Sequence, residues 1–314
     1  MGKILFHILI FPGLFFLFIF GLFVEYVDRK LYARFQNRVG PPWFQPLADF
    51  IKLISKEDII PEEADITVFK LMPLFALTAS SVAILYIPIW GTQAVFSFNG
   101  DVIVVLYLLT IPTFTYFLGG WYSRSVYSMI GAVRSLTQLF AYEVPLFLCI
   151  LASALLADTW SLSGMVVFYN HHLGYWFCNI IGFVVAMICL LGKLEKVPFD
   201  IPEAETEIVA GSFTEYNGRL LAFIRMSFNV EMVVGASLMA AVFLPFGFNK
   251  LPAVAVFLLY LIQVLFIVSV IAFLRTLFAR LRLDQMINFC WKYLAPLAFL
   301  QVLLNLILKA VLPR

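Results

Sequence analysis

Eight apolar runs that are nearly free of charge divide the chain, near residues 5–26, 69–90, 101–122, 137–157, 174–192, 219–244, 252–274 and 293–312. Each is close to the ~20 residues a helix needs to cross roughly 30 Å of hydrocarbon. The runs are continuous, without the short apolar-polar alternation of a barrel strand, and a helix satisfies its own backbone in lipid. The pattern therefore predicts an all-α polytopic membrane protein with about eight transmembrane helices and a single membrane domain over 1–314. Polar residues gather in two long loops, 28–68 and 193–218. In the first, Pro46–Lys56 mixes Leu47, Phe50, Ile51, Leu53 and Ile54 with Asp49, Lys52 and Lys56, which predicts a short amphipathic helix lying in the interface plane. No internal repeat of helix pairs is visible, which argues against a transporter built from repeated halves.

Composition agrees, with 63% hydrophobic and 13% charged residues. The net charge of +2, with no run of basic residues, gives no sign of nucleic-acid binding. Charge does orient the spans: sixteen of the 21 lysines and arginines fall in the loops after spans one, three, five and seven. Those loops are expected to face the cytoplasm, with both termini outside. Cys149, Cys178, Cys189 and Cys290 show no metal-ligand spacing and read as small buried residues; His171 and His172 read as a solvated loop pair.

Ionisable groups inside spans are costly, about 2.5–3.5 kcal/mol each on insertion scales, so each calls for a reason. Glu143, just before Pro145, and Glu231, in the sixth span near the midplane, are the two acids so placed; Arg225 lies six residues from Glu231 and on a different face. They read either as structural polar contacts or as a protonatable relay. The second feature is the loop from Lys193 to Arg219, where six acids (Glu195, Asp200, Glu203, Glu205, Glu207, Glu215) outnumber three bases. Asp200 and Glu203 resemble a capping box, so a short helix is expected to begin there, with Glu203 and Glu207 on one face. The loop reads as an acidic funnel feeding the buried carboxylates, or as a docking surface.

These motifs resemble a known family. Glu25-Tyr26-Val27-Asp28-Arg29-Lys30, Gln36-Asn37-Arg38-Val39-Gly40-Pro41, Gln45-Pro46-Leu47-Ala48-Asp49, Arg134-Ser135-Leu136-Thr137-Gln138, Tyr142-Glu143-Val144-Pro145, Pro198-Phe199-Asp200-Ile201-Pro202-Glu203-Ala204-Glu205 and Glu215-Tyr216-Asn217-Gly218 are similar, in order, to signatures of the complex I membrane subunit that abuts the quinone site. The resemblance implies a membrane foot beneath a hydrogenase-like large subunit and an iron-sulfur small subunit on the cytoplasmic side, coupled to antiporter-like and small membrane subunits, with lipid around it. It implies no cofactor in this chain; iron-sulfur clusters and a nickel-iron centre would belong to partners. Carried over, Glu143, Glu205, Glu207, Glu215 and Glu231 would form an acidic path, while Arg29, Gln36, Arg38, Gln45, Asp49, Arg134, Asp200 and Glu203 would sit at the cavity mouth or docking surface.

One spacing departs from the quinone-reducing pattern: only Pro42-Trp43-Phe44 and one further residue separate Pro41 from Pro46. This compact form is more similar to membrane-bound, ferredoxin-linked hydrogenases and their sulfur-reducing relatives, which implies the cell membrane of a prokaryote and no need for quinone. The expectation is a coupling subunit without its own catalysis. A quinone-site subunit of complex I, an autonomous ion transporter and a purely structural anchor remain the alternatives.

Overall fold

A computed structural model describes the backbone of residues 2–245 and 252–311, and the side chains of all of these except Leu173, Glu205 and Thr206. Lys250 and Arg314, used in the charge comparison, lie outside the described residues. The described elements are helical: α1 (Gly2–Leu9), α2 (Leu14–Phe35), α3 (Gln45–Ile54), α4 (Ile66–Ala83), α5 (Asp101–Tyr122), α6 (Val126–Ala157), α7 (Leu162–His171), α8 (Ile180–Lys193), α9 (Glu205–Ile208), α10 (Gly218–Phe243), α11 (Ala253–Leu277), α12 (Leu283–Phe289) and α13 (Ala295–Val311). Eight stretches are long and apolar enough to cross a membrane. The central one is α10, whose residues from Asn229 to Phe243 are all buried against α2, α4 and α11.

Several boundaries differ from the expected ones. The first span is broken at Phe11-Pro12-Gly13, where proline removes a donor. A Cβ at position 13 would meet the Ile8 carbonyl oxygen at 1.8 Å, so only glycine fits that bend. From there α2 runs on to Phe35 and carries Asp28 and Arg29 as helical residues, because nothing before Gly40-Pro41 ends the helix. Likewise α6 begins at Val126, which makes Arg134 a helical residue and not a loop one. The amphipathic helix expected at Pro46–Lys56 is α3, with Leu47, Ile51 and Ile54 exposed. On the opposite face, α7 ends at His171, so the histidine pair lies at a helix end, exposed. The last span contains a π-helical stretch at Cys290–Leu294. Cys149, Cys189 and Cys290 are buried and free.

The helix expected to begin at Asp200 does not form there. Residues 201–203 make a turn, and α9 is a single turn starting at Glu205. The loop is instead tied down side chain by side chain. Gln138 Nε2 donates to the Gly192 and Phe199 carbonyls, each at 2.7 Å. The Gly211 turn, at φ +56°, packs so closely on α6 that a Cβ there would meet the Pro202 carbonyl oxygen at 1.6 Å. Held this way, the 194–217 segment folds back over the ends of α2, α6 and α10 instead of projecting into solvent.

Candidate functional site

The folded-back loop converts sequence charge into buried charge. Glu231 on α10 is 0% exposed. It lies thirteen residues after Gly218, roughly 20 Å along the helix. Its Oε1 accepts from Tyr116 Oη of α5 at 2.8 Å, while Oε2 has no partner. The single phenolic hydrogen is spent on the carboxylate, so Ser227 Oγ donates to the Tyr116 oxygen. Lys193, 2% exposed at the end of α8, donates to the Leu109 carbonyl and lies within electrostatic range of Glu231, Glu143 and Glu195.

Glu195, two residues on, is 6% exposed and held at φ +49°. Ser135 Oγ donates to its Oε1 at 3.0 Å and Oε2 is unpartnered. Burial, reinforced by the nearby Glu203 charge, pushes its carboxyl up to about 8. Beside it a cavity of about 240 Å³ opens among Glu25, Asp28, Glu195, Glu203, Arg225 and Arg275. Asp28 Oδ2 accepts from Lys196 at 2.8 Å and from Arg275 at 2.7 Å, leaving Oδ1 and Arg275 Nε without partners. Burial holds the Lys196 ammonium below its ordinary value, opposed by the Asp28 charge. Arg275 also lies 4.3 Å over the Tyr32 ring. A neighbouring cavity of about 300 Å³ lies between α2, α3 and α10, sharing Glu25, Arg29, Arg225 and Asn229 with the first.

Of the acids expected on a path, Glu231 is central and Glu143 is half-buried on α6 within range of Lys193. Glu207 instead points outward, 59% exposed, and pairs with Arg134 at 2.6 Å. Glu215 is half-buried near the start of α10, and the Glu205 side chain lies outside the described residues. Of the mouth residues, Arg29 pairs with Glu25 and with Asp49 at 2.9 Å, and Gln45 donates to Asp49 at 2.8 Å, which joins α2 to α3. Asp200 pairs with Arg280 at 2.7 Å and Glu203 with Arg225 at 3.5 Å. Gln36 and Arg38 are exposed beyond the end of α2.

Sequence reasoning missed Glu25, Asp28, Lys193, Glu195, Lys196 and Arg275 as site residues. The signal for some of them was local: Lys193-Leu194-Glu195-Lys196 sits between the apolar Leu190-Leu191 and Val197-Pro198-Phe199, an arrangement unlike a solvated charge run. Among the described residues no cluster of three or more His, Cys, Asp or Glu could hold a metal.

An eight-span helical body with ionisable groups buried beneath a folded loop defines a multi-pass membrane subunit whose polar interior opens to one face. The NADH dehydrogenase family matches residues 7–306, so the chain belongs to that family and is a membrane subunit of a complex I-like oxidoreductase. The H-type membrane component of NADH-quinone oxidoreductase from Carboxydothermus hydrogenoformans is 32% identical over 301 residues, covering 92% of this chain and 85% of that protein. Its counterpart from Bacillus thuringiensis is 34% identical over 321 residues, covering 96% and 94%. A chain of the membrane-bound sulfane sulfur reductase, an archaeal respiratory membrane complex, superposes with a TM-score of 0.86 at 27% identity, covering 97% of this chain and all of that one.

Proposed function

We propose that this chain anchors a peripheral redox arm to the membrane and passes the free energy of its reaction to ion movement through its buried acids. One observation carries the reading: Asp28, Glu195 and Glu231 are buried, and each keeps one carboxylate oxygen that no protein donor satisfies. An unmet buried acceptor costs about 1–3 kcal/mol, more when charged, so three of them in one region point to use and not to scaffolding. The order from the cavity is Asp28 and Glu195, then Lys193, then Glu231 with Glu143 to one side. Glu195 takes up and releases a proton near pH 8. Tyr116 and Ser227 orient the Glu231 carboxyl, and Lys193 supplies the positive charge that passes its influence among three acids. Water in the cavity completes the hydrogen-bonded links.

The electrons run in partners: a hydrogenase-like large subunit and an iron-sulfur small subunit over the loop face, with antiporter-like and small membrane subunits beside the helices. The loop face is cytoplasmic by its excess of basic residues, and the membrane is the cell membrane of a prokaryote. Reduced ferredoxin is the electron donor in this reading. The compact 41–46 spacing and the extensive superposition on the sulfane sulfur reductase chain support that branch. A second reading, a quinone-site subunit, is favoured by the cavity of about 300 Å³ between α2, α3 and α10 and by the names of the bacterial relatives. Against it, Arg29 bridges Glu25 and Asp49 across that cavity. Purifying the complex in mild detergent and measuring the gradient formed on electron transfer tests the proposal. Glu231→Gln is expected to assemble and transfer electrons without building a gradient; an undiminished gradient overturns the relay. Inhibition by a quinone-site inhibitor would favour the second reading.

A further inference from the structure

The face opposite α3 carries a cavity that plays no part in the relay. Where α1 and α2 part at the Phe11-Pro12-Gly13 break, about 590 Å³ opens between α1 and the segment that follows α4. This volume is within the range of sites that hold small molecules. Its floor is a rigid aromatic group. Phe11 lies 5.9 Å from Trp90 and 5.8 Å from Phe257 between ring centroids, and Trp90 lies 5.1 Å from Phe257. Ile4 and Phe96 extend the apolar wall.

The polar part of the lining is Lys3, His7 and Gln93, with no acid. His7 Nδ1 is 2.9 Å from the Phe11 carbonyl oxygen, which can only accept, so Nδ1 carries the hydrogen and Nε2 is the nitrogen left for a ligand. Lys3 has no ion pair among the described residues, whereas Lys309, on the same face, pairs with Asp158 at 2.6 Å. The two described acids of that face outside α1, Asp101 and Asp158, are thus both committed, the first to donors from Ser161 and Leu162. No residue of α1 is buried, so its outer side meets hydrocarbon, and Trp90, half exposed, sits at the level aromatic side chains favour at a membrane surface.

We propose that this groove holds one anionic phospholipid of the leaflet opposite α3, with its phosphate between Lys3 and His7 and the upper part of one acyl chain on the Phe11–Trp90 floor. The charge pattern selects this occupant: a cationic lip beside an apolar slot open to the bilayer complements a phosphodiester joined to a hydrocarbon chain. The inference stands apart from the relay, since it involves none of the same residues.

The intact complex is reconstituted into vesicles of phosphatidylcholine and phosphatidylglycerol, re-extracted in mild detergent, and its retained lipids are counted by native mass spectrometry. The wild type is expected to keep phosphatidylglycerol selectively. The double variant Lys3→Gln, His7→Gln is expected to retain it less by about five-fold or more, the scale for losing one surface cation. Lys309→Gln should match the wild type. Photoactivatable phosphatidylglycerol should label peptides containing Trp90 and Phe96 in the wild-type complex, a readout that needs no variant to fold. Equal retention by the double variant, equal labelling by phosphatidylcholine, or a partner protein cross-linking at Trp90 in place of lipid would each overturn the proposal.

Discussion

The two halves of the helical bundle bury polar groups in different ways. In the half opposite α3, Asn179, Gln301 and Asn305 form a neutral network: Asn305 Nδ2 donates to the Ala152 carbonyl and to Asn179 Oδ1, and Gln301 Nε2 donates to Asn305 Oδ1, each at 2.8 Å. Asn179 Nδ2 donates to Tyr169 Oη, which in turn donates to the Ser153 carbonyl. Even the charged group there, Asp101, is met by Leu162 N at 2.7 Å and by the Ser161 and Ser97 hydroxyls. In the loop-side half, every buried acid of the central group keeps an unmatched oxygen. One half uses polarity to fix helices against each other; the other holds groups that can change charge, at a cost to stability.

The largest expected effect on this contrast comes from Glu231→Gln, which keeps the Tyr116 contact and removes the titratable proton. Gradient formation per electron should fall at least ten-fold in vesicles containing the assembled complex, while Asp101→Asn should leave it unchanged. Next in size, Asn305→Leu strips partners from Asn179 and Gln301 and should lower stability by about 1–3 kcal/mol, seen as an earlier thermal transition in detergent, with coupling per assembled complex intact.

A subtler effect concerns pH. Glu195 holds its proton up to about 8 in the fold against an ordinary value of 4.5. Between those values the folded state binds more protons than the unfolded one, so stability falls as pH rises through that window. Glu195→Gln should flatten this dependence in thermal melts and erase a limb near pH 8 in the coupling profile. The smallest change is expected from Glu207→Gln: its exposed pair with Arg134 is worth at most about 1 kcal/mol, and neither assembly nor coupling should respond.

What the sequence showed follows the same division. Apolar length alone located the spans, amphipathic spacing located α3, and Glu231 stood out because an acid inside an apolar run has few explanations. Asp28, Lys193 and Glu195 did not stand out, since each sits among other charges at the edge of a span and looks solvated. Only the continuation of α2 to Phe35 and the return of the loop over α6 bury them. Glu207 erred in the other direction: its place in an acidic run suggested the path, but the missing helix at Asp200 turns it outward to Arg134. The Pro12-Gly13 break was visible as residues but not as a boundary, because apolar character continues across it.

The most direct test of the central claim is redox-induced infrared difference spectroscopy of the purified complex, which reads carboxylic acid groups gaining or losing protons as the partner centres are reduced. The account predicts a carboxyl signal that diminishes in Glu195→Gln and again in Glu231→Gln, and that persists in Asp101→Asn. A signal unchanged in both glutamate variants would contradict it.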